Sequence, residues 1–174
     1  NPIAAYDGEE TEQSADDYTE EFDAAAAHVQ ELVSEKTSAI VTRIEKMIDG
    51  ASVTPISVPV RSSVSSAYKV ETPDASYTAV VAAPYGYGGP VEILYILSDS
   101  GEIVRFKVIS HNETEYFGEA VAETGYAEKQ EGSNIENADD DAILIAGCTF
   151  TTDAVRQAYT DAAEAFEAIM TATE

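Results

Sequence analysis

Residues 142–153 carry the pattern with the clearest chemistry. The apolar stretch Ala142–Ile145 leads into Gly147-Cys148-Thr149-Phe150-Thr151-Thr152, and a helix is predicted to follow directly. The first turn of a helix leaves amide groups unpaired and carries partial positive charge. Hydroxyls and small residues at such a place therefore favour an anion, typically a phosphate. The alternative is that Thr151 or Thr152 only caps the helix.

Two further segments have residue types that fit the border of a binding site. The first is Tyr85-Gly86-Tyr87-Gly88-Gly89-Pro90, whose glycines allow a close approach and whose tyrosines fit against a flat ring. A sharp turn is the alternative explanation. The second is His111-Asn112-Glu113-Thr114, which combines an imidazole, a carboxylate and a hydroxyl at a strand end. Both catalytic residues and solvated turn residues are found at such places.

The elements that must position these segments predict an α+β fold with a mainly antiparallel sheet. Apolar residues at steps of three and four predict a long N-terminal helical segment over 14–50, as one helix or as two that break near Thr37-Ser38. A second helix is predicted over Asp153–Ala172, after the Gly-Cys-Thr junction. Residues 1–13 are interpreted as an acidic tether, and residues 51–174 as the main domain.

Between the helices the sequence predicts a meander of strands. Residues 52–66 favour an extended linker or an edge strand, because they contain Pro55 and Pro59. Residues 123–141 are predicted to be a loop. The segment Ser98-Asp99-Ser100-Gly101 is typical of a hairpin turn. The predicted strands are Tyr77–Ala83, Val91–Leu97, Ile103–Ser110 and Ala142–Ile145.

The composition excludes several classes of function. The chain has 33 Asp and Glu against 9 Lys and Arg, a formal charge of −24, which repels nucleic-acid phosphates and anionic lipid headgroups. We therefore expect no nucleic-acid partner. The negative charge is explained by solubility, by adaptation to salt or by a cationic partner. One cysteine and two histidines predict no disulfide within the chain and no metal site.

Hydrolase motifs are not found, and no spacing singles out an acid and base pair, so we assign no catalytic residue. No apolar run is long enough to span a membrane, for which about 18 residues are needed. The chain begins at Asn1 without a methionine, and we expect a signal peptide or an anchor to have been removed.

Read together and in order, the three segments resemble the FMN-binding domain family. This family includes the G subunit of Rnf electron-transport complexes and the C subunit of sodium-pumping NADH:quinone oxidoreductases. Gly86-Tyr87-Gly88-Gly89-Pro90 is similar to its Gly-Tyr-Gly-Gly-Pro, and His111-Asn112-Glu113-Thr114 with Gly118 to its His-x-Glu-Thr-Pro-Gly-Leu-Gly. Gly147-Cys148-Thr149-Phe150-Thr151 resembles Ser-Gly-Ala-Thr-x-Thr, and the similarity spans residues 67–160.

The resemblance implies FMN as the cofactor, joined through its phosphate to Thr149 by a separate flavin transferase. It implies that the protein relays electrons as one of several redox subunits of a membrane complex, so we leave open whether it is an enzyme by itself. It also implies an N-terminal membrane anchor and a position on the extracytoplasmic face. The residues placed around the phosphate are Gly147, Cys148, Thr151 and Thr152, and those placed near the ring, the ribityl chain or the border of the site are Tyr87, Gly88, Gly89, His111, Glu113 and Thr114.

The sequence also departs from the family pattern. Ala146 and Cys148 replace Ser and Ala of the acceptor motif, Ile143 stands where an aspartate is usual, and Glu115-Tyr116-Phe117 replaces Pro-Gly-Leu. Cys148 is either a reactive thiol near a helix terminus or a small buried residue in place of alanine. Two alternatives follow from these departures. The domain has lost the flavin and is a structural or interaction module, or it binds FMN reversibly.

Overall fold

The computed structural model describes residues 15–58, 62–113, 124–137, 140–145 and 149–173. The chain divides into two compact units, Asn1–Thr42 and Arg43–Glu174. The predicted tether over residues 1–13 lies outside the described residues. In the part of the chain that the structure describes, no helix is both long and apolar enough to cross a membrane.

Helix α1 spans Ala15–Met47 and has 33 residues. It is one helix without a break at Thr37-Ser38, since these residues lower helix propensity only modestly and no glycine or proline interrupts it. Gly50 follows with a positive φ of 72°, a conformation that ends helices readily. Large apolar side chains in its first half are exposed, whereas Ile44 and Ile48 near its end are buried.

Five antiparallel strands form one sheet in the order in which they occur along the chain. The first is the predicted edge strand, and the last two are joined by the predicted hairpin, in which the Gly101 amide donates to the Ser98 carbonyl oxygen at 2.9 Å. An antiparallel sheet that lies in the sequence between an N-terminal and a C-terminal helix confirms the α+β fold class. The strands are β1 (Ser52–Ile56), β2 (Val64–Glu71), β3 (Ser76–Ala82), β4 (Val91–Ser98) and β5 (Ile103–His111).

Among the described residues after β5 there are three helices: α2 (Thr124–Gln130), α3 (Asp140–Ile143) and α4 (Thr149–Thr173). The prediction of a loop over 123–141 was therefore wrong where α2 and the start of α3 lie, whereas residues 131–137 form turns as predicted. The prediction of a strand over Ala142–Ile145 was wrong. The carbonyl groups of Ala142 and Ile143 accept hydrogen bonds from the side chains of Gln130 and Tyr126, both at 2.9 Å, and not from a neighbouring strand. A short apolar run is compatible with a buried helical turn as well as with a strand.

Helix α4 packs against β2, β3 and β4 and covers one face of the sheet. It begins four residues before the predicted start at Asp153, and its buried apolar side chains lie along one side of the helix. Tyr95 on β4 contacts Tyr159 of α4 edge to face, with ring centroids 5.2 Å apart. The buried core residues of α4 are Ala154, Val155, Ala158, Tyr159, Ala162, Ala165, Phe166 and Ile169.

The outer edge of β5 is covered by the segment that follows α2. The amide of Ile103 donates to the Ser133 carbonyl oxygen at 2.8 Å, and the amide of Gly132 donates back to the Ile103 carbonyl oxygen at 2.9 Å. Three residues further along β5, the Phe106 amide donates to the Glu131 carboxylate at 3.2 Å. This segment therefore takes the place of a sixth strand along part of β5.

Candidate functional site

The glycine-rich segment forms a tight turn that leads into β4. Tyr85 and Pro90 pair across it, and the Gly86 amide donates to the Gly89 carbonyl oxygen at 2.7 Å. Gly89 has φ of 150°, a conformation that residues with a side chain rarely adopt. The turn is thus fixed by backbone hydrogen bonds and by one position that requires glycine.

The glycines of this turn allow it to pack closely on residues 112–113. A Cβ atom on Gly88 would overlap the carbonyl oxygen of Asn112, and one on Gly86 would overlap the carboxylate of Glu113. The sequence predicted that these glycines permit a close approach without identifying what approaches. In the described structure at least part of that space is filled by the protein's own chain.

Glu113 joins the glycine turn to the start of α4. Its side chain is buried, and one carboxylate oxygen accepts a hydrogen bond from the Gly88 amide at 2.9 Å. The other oxygen accepts a hydrogen bond from the Thr151 hydroxyl at 2.6 Å. Three segments that are far apart in the sequence are therefore held together by one carboxylate.

Helix α4 begins at Thr149, whose side chain is exposed. Thr151 and Thr152 lie in the first turn of the helix and are buried. The Thr152 hydroxyl oxygen accepts a hydrogen bond from the Ile145 amide at 3.2 Å, so it binds the preceding segment. The first four amide groups of a helix have no acceptor within the helix, which leaves them suited to an anion. Thr149 is the hydroxyl of this turn that is exposed to solvent.

Two aromatic rings meet on the outside of the same region. Tyr87 in the glycine turn and Phe150 in α4 have ring centroids 5.9 Å apart and an interplanar angle of 43°. Both side chains are about two-thirds exposed, at 65% and 64%. Tyr85 and Leu144 are exposed as well. Thr149 is therefore followed directly by Phe150, which is part of an apolar surface that can accept a flat ring.

Of the remaining predicted site residues, the structure describes His111 but not Thr114, Gly147 or Cys148. His111 is the last residue of β5 and pairs with Val91. Its Nδ1 atom is buried and has no hydrogen-bond partner among the described residues. Ala146 lies outside the described residues as well. No group of three or more potential metal ligands occurs in the part of the chain that the structure describes.

The structure thus brings Gly88, Glu113 and Thr151 together through hydrogen bonds, and it adds Tyr87 through its contact with Phe150. Sequence reasoning missed Phe150 and the backbone of Asn112 as parts of this region. The signal for Phe150 was available, because an aromatic residue stands directly after the candidate acceptor Thr149. The sequence around Asn112 gave no indication that its backbone lies close to Gly88, since the two residues are on different segments.

Comparison with known families gives one finding. Residues 86–164 match the model of a family described as the FMN-binding domain. The matched residues begin in the glycine turn and continue through β4, β5 and Glu113 into α4, whereas β1, β2 and β3 precede them. A comparison with curated proteins finds no match to the chain.

The arrangement fits a flavin mononucleotide in two respects. An exposed threonine hydroxyl at the first turn of a long helix is suited to a phosphate group. The exposed rings of Tyr87 and Phe150 provide apolar aromatic surface for a planar ring. Both features lie within the matched residues.

Proposed function

We propose that this chain binds FMN, because residues 86–164 match the FMN-binding domain family, and that the FMN is joined through its phosphate to Thr149. In this proposal the protein relays electrons as one subunit of a membrane redox complex. The protein works at the extracytoplasmic face of the membrane, and a flavin transferase attaches the cofactor.

The observation that carries the attachment proposal is the position of Thr149. It is the first residue of α4, its side chain is exposed, and it lies within the residues that match the family. The other two threonines of this turn are buried, and their hydroxyls already bond to protein groups. Thr149 is therefore the threonine of this turn best placed for a transferase to reach.

The remaining groups of the site would hold the cofactor. The amides of the first turn of α4 would donate to the phosphate, and the rings of Tyr87 and Phe150 would contact the flavin ring. Glu113 would keep the glycine turn and α4 at a fixed separation. When bound, FMN supplies one-electron and two-electron redox chemistry, which the protein positions and tunes.

The proposed membrane context rests on the resemblance to Rnf and sodium-pumping oxidoreductase subunits. A covalent link prevents the loss of a cofactor that is scarce outside the cytoplasm, which agrees with an extracytoplasmic position. Other redox subunits of the complex would be the electron donor and the electron acceptor.

The attachment is tested by coexpressing the protein with a flavin transferase and measuring its intact mass. We expect a flavin-sized mass increase and a fluorescent band on a denaturing gel for the wild type and for Thr149→Ser. Thr149→Ala should show neither. Thr171→Ala is the matched control, because Thr171 is an exposed threonine of the same helix, and it should retain the flavin. Covalent flavin on Thr149→Ala would contradict the assignment.

A second candidate function is reversible FMN binding, and Ile143 favours it. The resemblance implies an aspartate at this position, but Ile143 is fully buried, and its carbonyl oxygen accepts a hydrogen bond from Tyr126. A transferase that reads an exposed acidic group would not find one here. Bound flavin that is released by denaturation and gel filtration would support this candidate, whereas protein that stays colourless beside an active transferase would indicate a structural or interaction module.

A further inference from the structure

The middle of α1, from Phe22 to Val33, exposes a continuous apolar stripe. Its large side chains are strongly exposed: Phe22 by 79%, Val29 by 59% and Val33 by 60%. Steps of three and four residues place the members on one side of the helix. We call this surface the α1 stripe, and its residues are Phe22, Ala25, Ala26, Val29, Leu32 and Val33.

We propose that the α1 stripe is a docking surface for a cationic amphipathic helix of a partner protein. Monomeric proteins expose single apolar side chains commonly, but rarely a contiguous row of them. The α1 stripe has the pattern with which helices pack on other helices, namely i, i+3, i+4 and i+7. An amphipathic helix with its own apolar row would therefore cover it.

The size of the stripe limits the strength of the complex. The twelve residues from Phe22 to Val33 extend for about 18 Å along the helix axis. Such a patch is smaller than the roughly 800 Å² that each partner contributes to a stable complex. We therefore expect weak binding, unless other surfaces of the partner contribute.

The charge around the stripe selects the partner. Between Phe22 and Thr42 the sequence has three acidic residues and one basic residue, a net charge of −2, in a chain with a net charge of −24. By helical periodicity, Asp23 and Glu35 lie on either side of the stripe. Lysine or arginine residues that flank the apolar row of a partner helix would meet these carboxylates.

The same charges argue against a second copy of this chain as the occupant. Two copies of α1 would bring acidic borders together while burying only a short row of apolar side chains. The molecules would also repel each other at long range, because each has a large negative charge. A cationic helix is attracted both by the acidic borders of the stripe and by the net negative charge of the molecule. Its affinity should therefore fall as salt is added.

The test uses the full 174-residue chain and a synthetic helical peptide with a leucine row flanked by lysines. Binding is measured by fluorescence anisotropy of the labelled peptide at low and high salt. We expect Val29→Asp to weaken binding about tenfold or more, because it removes apolar contact and would bury a charge. If only the net charges of the protein and the peptide mattered, this variant would bind the cationic peptide more tightly, since it adds a negative charge.

Ala27→Asp is the matched control, because it adds the same charge to an exposed position on another side of α1. It should change the affinity by less than about twofold, and circular dichroism should show equal helix content in both variants. A peptide with glutamates in place of the lysines should bind much more weakly.

Three results would overturn the proposal. The first is equal binding of the lysine and glutamate peptides, and the second is equal weakening by the two variants. The third is another occupant of the stripe: sedimentation showing a dimer that Val29→Asp dissociates would assign it to a second copy. Binding to phosphatidylcholine vesicles but not to the peptide would assign it to a lipid surface.

Discussion

At the scale of single residues, Glu113 is the group that connects the parts of the candidate site. Its carboxylate is buried and accepts hydrogen bonds from the Gly88 amide and the Thr151 hydroxyl. Burial removes the hydration of a carboxylate, and hydrogen bonds restore part of what is lost. The two bonds also connect the turn before β4 with the first turn of α4. We infer that the distance between these segments is set mainly by this side chain.

Glu113→Ala should therefore lower the free energy of unfolding by about 2–4 kcal/mol, because it leaves an amide and a hydroxyl without their acceptor. Glu113→Gln should cost less, about 1 kcal/mol, since an amide group can bond to both partners. Urea unfolding at neutral pH measures both values. Glu128→Ala, which removes an exposed carboxylate from α2, is the control and should change the value by less than about 0.5 kcal/mol. Equal losses for Glu113→Ala and Glu128→Ala would show that the two hydrogen bonds do not matter for stability.

At the scale of elements, the site is the meeting point of the glycine turn, the end of β5 and the start of α4. The turn is held against residues 112–113 so closely that Gly88 has no room for a side chain. Its position in turn places Tyr87 against Phe150. The geometry of the aromatic pair thus depends on a packing contact on the other side of the turn.

Gly88→Ala should lower the melting temperature and weaken the Tyr87 and Phe150 contact, because the new methyl group overlaps the Asn112 carbonyl oxygen. We expect a loss of about 2 kcal/mol or more. Thermal unfolding followed by circular dichroism measures the effect.

The matched variant is Gly125→Ala in α2, where a Cβ atom meets nothing within 4 Å. Alanine is the better helix former, so this variant should be neutral or more stable by up to about 1 kcal/mol. A Gly88→Ala protein as stable as Gly125→Ala would mean that the turn can move away from residue 112 at little cost.

The sequence predicted the elements whose patterns are regular over many residues. Helix α4 and the β4 and β5 hairpin follow from periodicity and turn chemistry. The edge strand β1 was one of two alternatives that the prolines of residues 52–66 suggested. Sequence reasoning misread Ala142–Ile145, because four apolar residues do not distinguish a strand from a buried helical turn. What decides between them are hydrogen bonds from Tyr126 and Gln130, which are more than ten residues away.

The same limit applies to the candidate site. Its motifs could be found because each has local character, and the family match begins and ends close to them. The bond from Thr151 to Glu113 joins residues 38 positions apart, and nothing in either segment specifies that pairing. The exposure of Thr149 and the burial of Thr151 were equally invisible, since they depend on where α4 begins.

At the scale of the whole molecule, a strongly acidic surface encloses a core that contains tyrosines. Tyr95 is fully buried, and its hydroxyl has no hydrogen-bond partner among the described residues. Burial raises the pKa of Tyr95 well above its ordinary value, and the neighbouring Tyr159 raises it further. The pKa of Tyr126 is also raised, mainly by burial. In alkaline solution, the folded protein therefore keeps phenolic protons that the unfolded chain would release.

This difference predicts a loss of stability in alkaline solution. In the unfolded chain tyrosines lose their protons near pH 10, whereas the folded protein retains those of Tyr95 and Tyr126. The native state thus binds more protons, so the free energy of unfolding should fall as the pH rises above about 10, and these groups should have no effect below it. Urea unfolding across this range, with tyrosinate absorbance as a second signal, measures the slope.

Tyr95→Phe should reduce that slope and should cost little at neutral pH, because the lost hydroxyl makes no hydrogen bond to the described residues. Tyr85→Phe, at an exposed position, should leave the slope unchanged. An unchanged slope in Tyr95→Phe would mean that this hydroxyl ionises in the folded protein.

The covered edge of β5 bears on how the protein behaves at high concentration. A strand edge with free amide and carbonyl groups is a template on which other chains add strands and grow into fibrils. Along residues 101–106 that template is partly occupied by the segment after α2, and at the opposite edge Pro55 of β1 has no amide to offer. Amyloid growth at β5 would require this segment to detach, so its detachment, and not global unfolding, should control the onset of aggregation.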